Sequence, residues 1–494
     1  MHSLRETVYS HGELAGLLAP RSVAIIGASS RPGSFGERTL RNLRAHYTGR
    51  VYLINPQYAT LGADPCYPDL AALPEVPDCA VIAVPREKVY ELVAQCVEAQ
   101  LPGVLVFASG YAETDQAEGL NAQRALSALV RGSKTRLVGP NCLGFANYAA
   151  ATHLSFSEFP GYLPGPAAVG IASQSGALAM AIAQGANAGT PISHALACGN
   201  MVDVDVADYV SYMAGESACA AIVCIIEGHE HPARMEQAAR IALAAGKPLI
   251  VHKLGCSAKG IHAAWRHTAS VAGSQADWQA LFARCGAVMV EHFDRVLEVA
   301  SFFAKAPRAG GRGAAILSTS GGACIIAADA AAAHGIELPP PADAANAQVL
   351  ADTIPAFGYP HNPFDTTAQV ISHPASFSAC AAATMGDAAY DCVVTPHIQA
   401  YESATPRIAT LNEQAARFGK IACNVWLTQW MGGPGYADTA SLPHIALFRS
   451  MDSCFWTLAR WQQRQQWIDA QSARAQSGGA QSGGAQPRGA AALA

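Results

Sequence analysis

The 494-residue chain is short of charge, of paired cysteines and of unbroken apolar length. Charged residues are only 14% of the total, 32 basic against 37 acidic for a net charge of -5. No cluster of Lys and Arg could neutralise a row of phosphates, which excludes nucleic acid as a partner. None of the 14 cysteines stands in a Cys-x-x-Cys pair. Cys79, Cys142, Cys224 and Cys392 lie inside apolar stretches, as small buried thiols do in a reducing compartment. The longest apolar stretch, 314–333, is broken at 318–322 and at Asp329, and Met1-His2-Ser3-Leu4-Arg5-Glu6 has no apolar signal core. The expectation is a cytoplasmic protein without membrane contact. His229-Glu230-His231 offers imidazoles, but no third ligand stands at a recognisable spacing, so no metal is expected and the run reads as a surface loop.

What the chain has instead is apolar material, 51% of its residues, and too much length for one core. Short buried strands are expected at 23–27, 51–56, 79–85, 103–107 and 136–140, with amphipathic segments such as 89–99 between them. The alternation specifies an α/β fold with a doubly wound parallel sheet. A second unit shows strands at 168–173, 221–226 and 248–253. A third, after the glycine-rich linker 307–313, has them at 314–318, 391–395 and 421–427. The expected organisation is three Rossmann-like or flavodoxin-like domains, 1–150, 151–307 and 308–468, followed by a disordered tail at 469–494 that repeats Ala-Gln-Ser-Gly-Gly.

Three strand ends carry chemistry. Gly27-Ala28-Ser29-Ser30-Arg31-Pro32-Gly33-Ser34-Phe35-Gly36 follows the first strand and opens a helix, where backbone amides and the helix dipole receive a phosphate. Its Gly-x5-Gly-x2-Gly spacing is longer than the dinucleotide pattern and points to a different phosphate-bearing cofactor. Ser173-Gln174-Ser175-Gly176 is a second strand-to-helix junction, either a plain N-cap or an anion site. Glu227 ends a buried strand, where a carboxylate can accept a hydrogen bond from an imidazole and fix its tautomer. His267 lies in the run 255–274, which contains glycines, reads as a loop, and leads into an N-cap at Ser274.

Together these runs resemble the NDP-forming acyl-CoA synthetases, the superfamily that includes succinyl-CoA synthetase. The similarity covers about residues 14–465. It is carried by Ser22-Val23-Ala24-Ile25-Ile26-Gly27-Ala28-Ser29, Gly139-Pro140-Asn141-Cys142-Leu143-Gly144, Ser173-Gln174-Ser175-Gly176-Ala177-Leu178, Gly199-Asn200, Asp203-Val204-Asp205, Glu227-Gly228, His267-Thr268 and Ala272-Gly273-Ser274. The resemblance implies a coenzyme A-binding first domain, a second domain with a transiently phosphorylated histidine, and a flavodoxin-like third. It makes His267 the phosphorylated residue, Glu227 its orienting carboxylate, and the amides of Ser173, Gln174, Ser175 and Gly176 the ones that face the phosphohistidine. Gly27, Ala28, Ser29, Pro32, Gly33, Gly36, Val84, Pro85, Ser109, Gly110 and Asn141 would line the coenzyme A site. The carboxylate pocket could draw on His153, Phe156, Phe159, Asn200 and Trp265.

The resemblance also implies partners. No ATP-grasp module is read in the chain, so ATP and Mg2+ would come through a separate ATP-grasp β-type subunit in an αβ or α2β2 hetero-oligomer. Relatives often carry His-Thr-Gly and Gly-Gly-Pro-Gly, where this chain has Ala269 after Thr268 and Ala323-Cys324 after Gly321-Gly322. Gln57 stands where a lysine is common after Asn55-Pro56. The expected function is the α-type subunit of an acid–thiol ligase. The alternatives are a coenzyme A or acyl-CoA sensor or scaffold that has lost catalysis, and a nucleotide-independent acyl or carbamoyl transferase.

Overall fold

A computed structural model describes residues 5–161, 165–268, 273–371 and 373–482, with side chains except at 265–268, 371 and 475–482. Three sheets follow one another along the chain. The first holds β1 (Ser22–Ile26), β2 (Arg50–Ile54), β3 (Thr60–Leu61), β4 (Asp64–Tyr67), β5 (Cys79–Ile82), β6 (Gly103–Val106) and β7 (Arg136–Val138), in the order β3-β4-β2-β1-β5-β6-β7. The second holds β8 (Gly144–Asn147), β9 (Thr152–Ser155), β10 (Val169–Ser173), β11 (Ile192–Ala197), β12 (Ala221–Ile226), β13 (Leu249–Lys253) and β14 (Val288–Met289), in the order β14-β13-β12-β10-β11-β8-β9. The third holds β15 (Gly313–Ser318), β16 (Phe364–Asp365), β17 (Tyr390–His397), β18 (Ile421–Trp426) and β19 (Ile445–Phe448), in the order β16-β15-β17-β18-β19.

The central strands β1, β5, β10, β12 and β15 are buried at every position, as runs such as Ala-Ile-Val-Cys-Ile-Ile must be when helices cover both faces of a parallel sheet. In each sheet the chain leaves a central strand to one side and returns on the other. The crevices this opens lie at the carboxyl ends of β1 and β5, of β10 and β12, and of β15 and β17. Such switch points are where open α/β sheets bind ligands.

Three sequence expectations change. The chain passes to the second sheet at Gly144, where β8 pairs antiparallel with β11, six residues before the boundary expected at 150. The tail expected to be disordered from 469 is helical as far as Ser482, as part of the helix Met451–Ser482; residues 483–494 lie outside the described residues. That helix is anchored by Trp461 Nε1 on Pro307 O at 2.9 Å, Arg464 Nε on Gly286 O at 2.9 Å and Arg308 on Asp469 at 2.7 Å. Once a docked turn supplies the nucleus, Ala, Gln and Arg propagate it at little cost, against about 1 kcal/mol for each of Gly478 and Gly479 near its end. The run around His267, read as a loop, is helical backbone to the end of Ala258–Thr268. Thirteen cysteines are buried thiols and Cys256 is exposed. Among the described residues no helix is long and apolar enough to cross a membrane.

Buried histidines set the response to acid. Burial pushes His153, His194 and His397 down to about 4 from an ordinary 6.5. The unfolded chain therefore binds three more protons than the folded one between those values, so stability rises with pH there. The contribution is full above about pH 6.5 and is lost as pH falls towards 4, with a slope of up to about 4 kcal/mol per pH unit. Glu298, pushed up by burial, opposes this weakly. Urea midpoints across this range should fall steeply with acid, and a flat profile would contradict neutral burial of the three rings.

Candidate active site

At the first switch point, Gly27 has φ +92°, and a Cβ there would meet Ala83 O at 2.5 Å. A Cβ on Gly36 would meet Gly27 O at 2.2 Å, so the helix Phe35–Arg44 starts hard against the end of β1. Ser34 caps that helix. Ala28 is buried, and its carbonyl accepts from Asn55 Nδ2 at 2.7 Å. Gly36 and Ala28 thus build the turn. Ser29, Pro32 and Gly33 form its accessible face, with only Arg38 within 4 Å of a Cβ added at Gly33. Gly33 N already donates to Glu37 Oε2 at 3.1 Å, so a carboxylate sits where the turn would receive an anion. Val84 and Pro85 follow β5, Ser109 and Gly110 follow β6, and Asn141 follows β7. Because β1, β5, β6 and β7 are parallel neighbours, all eleven residues fall along one sheet edge. Asn141 (φ 53°) donates from Nδ2 to Asn200 Oδ1 at 3.2 Å.

At the second switch point, the Gln174 side chain joins the two strand ends. Its Oε1 accepts from Glu227 N and Gly228 N, and its Nε2 donates to Gly228 O at 2.8 Å. Ser173 Oγ donates to Ser175 O at 2.7 Å, and Ser175 Oγ caps Leu178 N at 3.4 Å. These side chains are spent on the protein. What the junction can offer a ligand is the first-turn amides of the helix Gly176–Ala183. Glu227 is only 4% exposed. Lys253, at the end of β13, donates from Nζ to Glu227 O at 2.7 Å and to Leu254 O at 2.5 Å, and burial lowers its pKa. The structure therefore brings Ser173, Gln174, Ser175, Gly176 and Glu227 together. The His267 side chain lies outside the described residues. Ser274 caps the helix Gln275–Ala283, as expected.

The surface loop expected at His229 is corrected. His229 is buried, with Nε2 2.8 Å from Asp205 Oδ2. Its Nδ1 accepts from His231 N at 3.0 Å, which assigns the proton to Nε2 and makes that atom the donor to Asp205. Arg234 reaches both Asp205, at 2.5 Å, and Asp208, at 2.8 Å, while Arg5 bonds Asp208 at 2.6 Å. Burial alone would raise the Asp205 carboxyl, but the His229 hydrogen bond and the Arg234 charge hold it below the ordinary range. The pairing of Asp205 with Asp208 across the first turn of Val206–Gly215 is a capping box readable in the sequence. Its extension to His229 and Arg234 is not.

Of the residues named for a carboxylate pocket, Phe156 stacks on Phe35 with centroids 4.0 Å apart and meets Phe107 edge-on at 5.0 Å. His153 lies instead between Tyr148 and His46. Asn200 is engaged by Glu113 at 2.6 Å and Gln123 at 2.9 Å. Phe159 packs against the core shared by the second and third sheets. The Trp265 side chain lies outside the described residues. Among the described residues no group of three or more potential ligands could hold a metal.

A glycine-built turn at the switch point of one sheet, and a buried carboxylate with a helix N-terminus at the switch point of the next, are the arrangement expected of the coenzyme A ligase class. A CoA binding domain family model matches residues 21–148, and a model described as the succinyl-CoA ligase like flavodoxin domain matches 166–303. The chain is 33% identical to a trans-feruloyl-CoA synthase from an unknown prokaryotic organism, over 80% of this chain and 56% of that protein. It is 30% identical to the α subunit of the ADP-forming acetate–CoA ligase I of Pyrococcus furiosus, over 72% of this chain and 76% of that subunit. Its structure superposes on the dinucleotide-forming acetyl-coenzyme A synthetase 1 of Ca. Korarchaeum cryptofilum, solved with phosphate and ADP, with a TM-score of 0.82 and 25% identity, covering 93% of this chain and 98% of that one. The chain belongs to the NDP-forming (ADP-forming) acyl-CoA synthetase family. It spans about half the length of several curated relatives it matches.

Proposed function

We propose that the chain is the α-type part of an NDP-forming acyl-CoA synthetase and works with an ATP-grasp β-type subunit, as αβ or α2β2, in the cytoplasm. The observation that carries this reading is the Gln174 bridge, which fixes a buried carboxylate beside a helix N-terminus at a switch point. The α-subunit relative supports the division of labour. His267 takes the γ-phosphoryl of ATP, delivered with Mg2+ by the partner, and ADP leaves. Glu227 accepts a hydrogen bond from the imidazole and sets which ring nitrogen is free to attack. Of the junction Ser173–Gly176, the Gln174 amide is already given to Ile225 O at 3.2 Å, so the first-turn amides of the helix Gly176–Ala183 and its dipole stabilise the phosphoryl group on the ring. The group then passes to a carboxylate oxygen of the acid substrate, giving an acyl phosphate and free imidazole. Bound coenzyme A supplies the thiol to which the acyl group is finally transferred, with release of phosphate.

For coenzyme A, the open turn Ser29, Pro32 and Gly33 meets its phosphates, with Gly27, Ala28 and Gly36 shaping that turn. Val84, Pro85, Ser109, Gly110 and Asn141 continue the same edge. Glu37 must give up Gly33 N when a phosphate arrives, and the exposed Arg31 and Arg38 offset its charge.

Incubation with γ-labelled ATP and an ATP-grasp subunit is expected to give acid-labile, base-stable label on the chain, absent in His267→Ala and discharged by a carboxylate plus coenzyme A. No label with coenzyme A still binding would sink the synthetase reading.

A further inference from the structure

A cavity of about 510 Å³ runs along β14, the edge strand of the second sheet, and is walled on its far side by the helix Met451–Ser482. Its charged lining is Lys253, Arg460 and Arg464 against one carboxylate, Glu291. Lys253 is partly balanced by the nearby Glu227, but Arg460 and Arg464 against Glu291 keep the lining net positive, which suits an anionic ligand. Met289 and the half-buried indole of Trp467 give the same cavity an apolar side that suits a planar group. The volume lies in the range of small-molecule sites.

Its position gives it reach. Lys253 spends two of its three N–H donors on Glu227 O and Leu254 O, which leaves a third for a ligand. Cys256 and Gln275 also line the cavity, Sγ to Oε1 at 3.0 Å, and they bracket in sequence the stretch 257–274 that holds His267.

We propose that this cavity is a second ligand site, for a nucleoside di- or triphosphate, and that it acts on the Glu227 strand end through Lys253. The base lies against Trp467 and Met289, and the phosphates meet Arg460, Arg464 and Lys253. A phosphate that takes the third Lys253 N–H draws the ammonium away from the Glu227 carbonyl, so occupancy is felt at the Glu227 strand end. The binding stands without the function proposed above; only its effect on phosphoryl transfer rests on that reading.

The test uses the full chain without an ATP-grasp partner, saturated with coenzyme A so that the first domain's edge is filled, and titrated calorimetrically with ADP. Saturable binding is expected, weakened at least about tenfold by Arg460→Gln, which removes a charge-assisted contact, and by Ala283→Trp, which fills the cavity from an exposed helical position. Adenosine and pyrophosphate, each half of the ligand, should each bind at least about tenfold more weakly than ADP. A urea unfolding curve unchanged in midpoint and slope shows that both variants are folded. No saturable ADP binding at millimolar concentration, binding unchanged in both variants, or pyrophosphate binding as tightly as ADP would overturn the proposal. Loss of His267 labelling with ADP binding intact counts against the synthetase reading alone.

Discussion

Asp205→Ala should cost about 3–5 kcal/mol of stability, read as a fall in the urea midpoint at unchanged slope. Asp205 makes two sets of contacts. Its Oδ1 accepts from Ala207 N at 2.8 Å and Asp208 N at 3.2 Å and so caps Val206–Gly215, while its Oδ2 receives His229 and Arg234. Loss of the cap alone costs about 1 kcal/mol. The larger part comes from what remains: a buried Arg234 with one of its two carboxylates gone and a buried His229 N–H with no acceptor. Asp205→Asn separates the two. It can keep the cap and a hydrogen bond from His229 but not the charge opposite Arg234, so its loss should fall between wild type and alanine. A cost below about 1 kcal/mol for alanine would mean that the network adds nothing beyond the cap.

The consequence extends beyond stability, because His229 follows Glu227 by two residues. Asp205 holds the His229 ring, Gln174 holds Gly228 and the Glu227 amide, and Lys253 holds the Glu227 carbonyl. The backbone carrying the carboxylate is therefore fixed from the helix Val206–Gly215, from β10 and from β13.

How much of this could be read in the sequence depends on how far apart the partners stand. Buried central strands announce themselves as apolar runs, and the turns after β1 and β10 as glycine and serine at a strand end. Their placement at switch points follows from strand order, which β11 helps to decide and which no single motif contains. The edge strands β3, β14 and β16 have two residues each, too few for a period to show. β8 starts at the last glycine of the Gly139–Gly144 motif and carries no strand signal of its own, and only its pairing with β11 assigns it to the second sheet. His229 looked like a solvated loop because the groups that bury it come from elsewhere: Asp205 lies 24 residues before it and Arg5, which completes the network, 203 residues before Asp208. Lys253 gave no signal at all; a lysine at the end of an apolar strand looks solvated until two carbonyls are found around its ammonium.

On the proposed function, in which His267 is phosphorylated and Glu227 orients it, Glu227→Gln should slow that phosphorylation roughly 100-fold while leaving stability within about 1 kcal/mol. The amide has the shape of the carboxylate but can present a donor where the imidazole N–H needs an acceptor, and it no longer balances positive charge on the ring as phosphoryl transfer proceeds. Gln174→Ala provides the contrast. It leaves Glu227 N, Gly228 N and Gly228 O without their side-chain partner in a buried position, a cost of about 1–3 kcal/mol, and it frees the strand end that carries the carboxylate. Rate and stability should therefore fall together in Gln174→Ala but separate in Glu227→Gln. Single-turnover labelling from γ-labelled ATP, run beside urea unfolding of the same preparations, distinguishes the two patterns. Should Glu227→Gln label at the wild-type rate, the carboxylate does not orient the ring, and its burial at the switch point is a matter of packing alone.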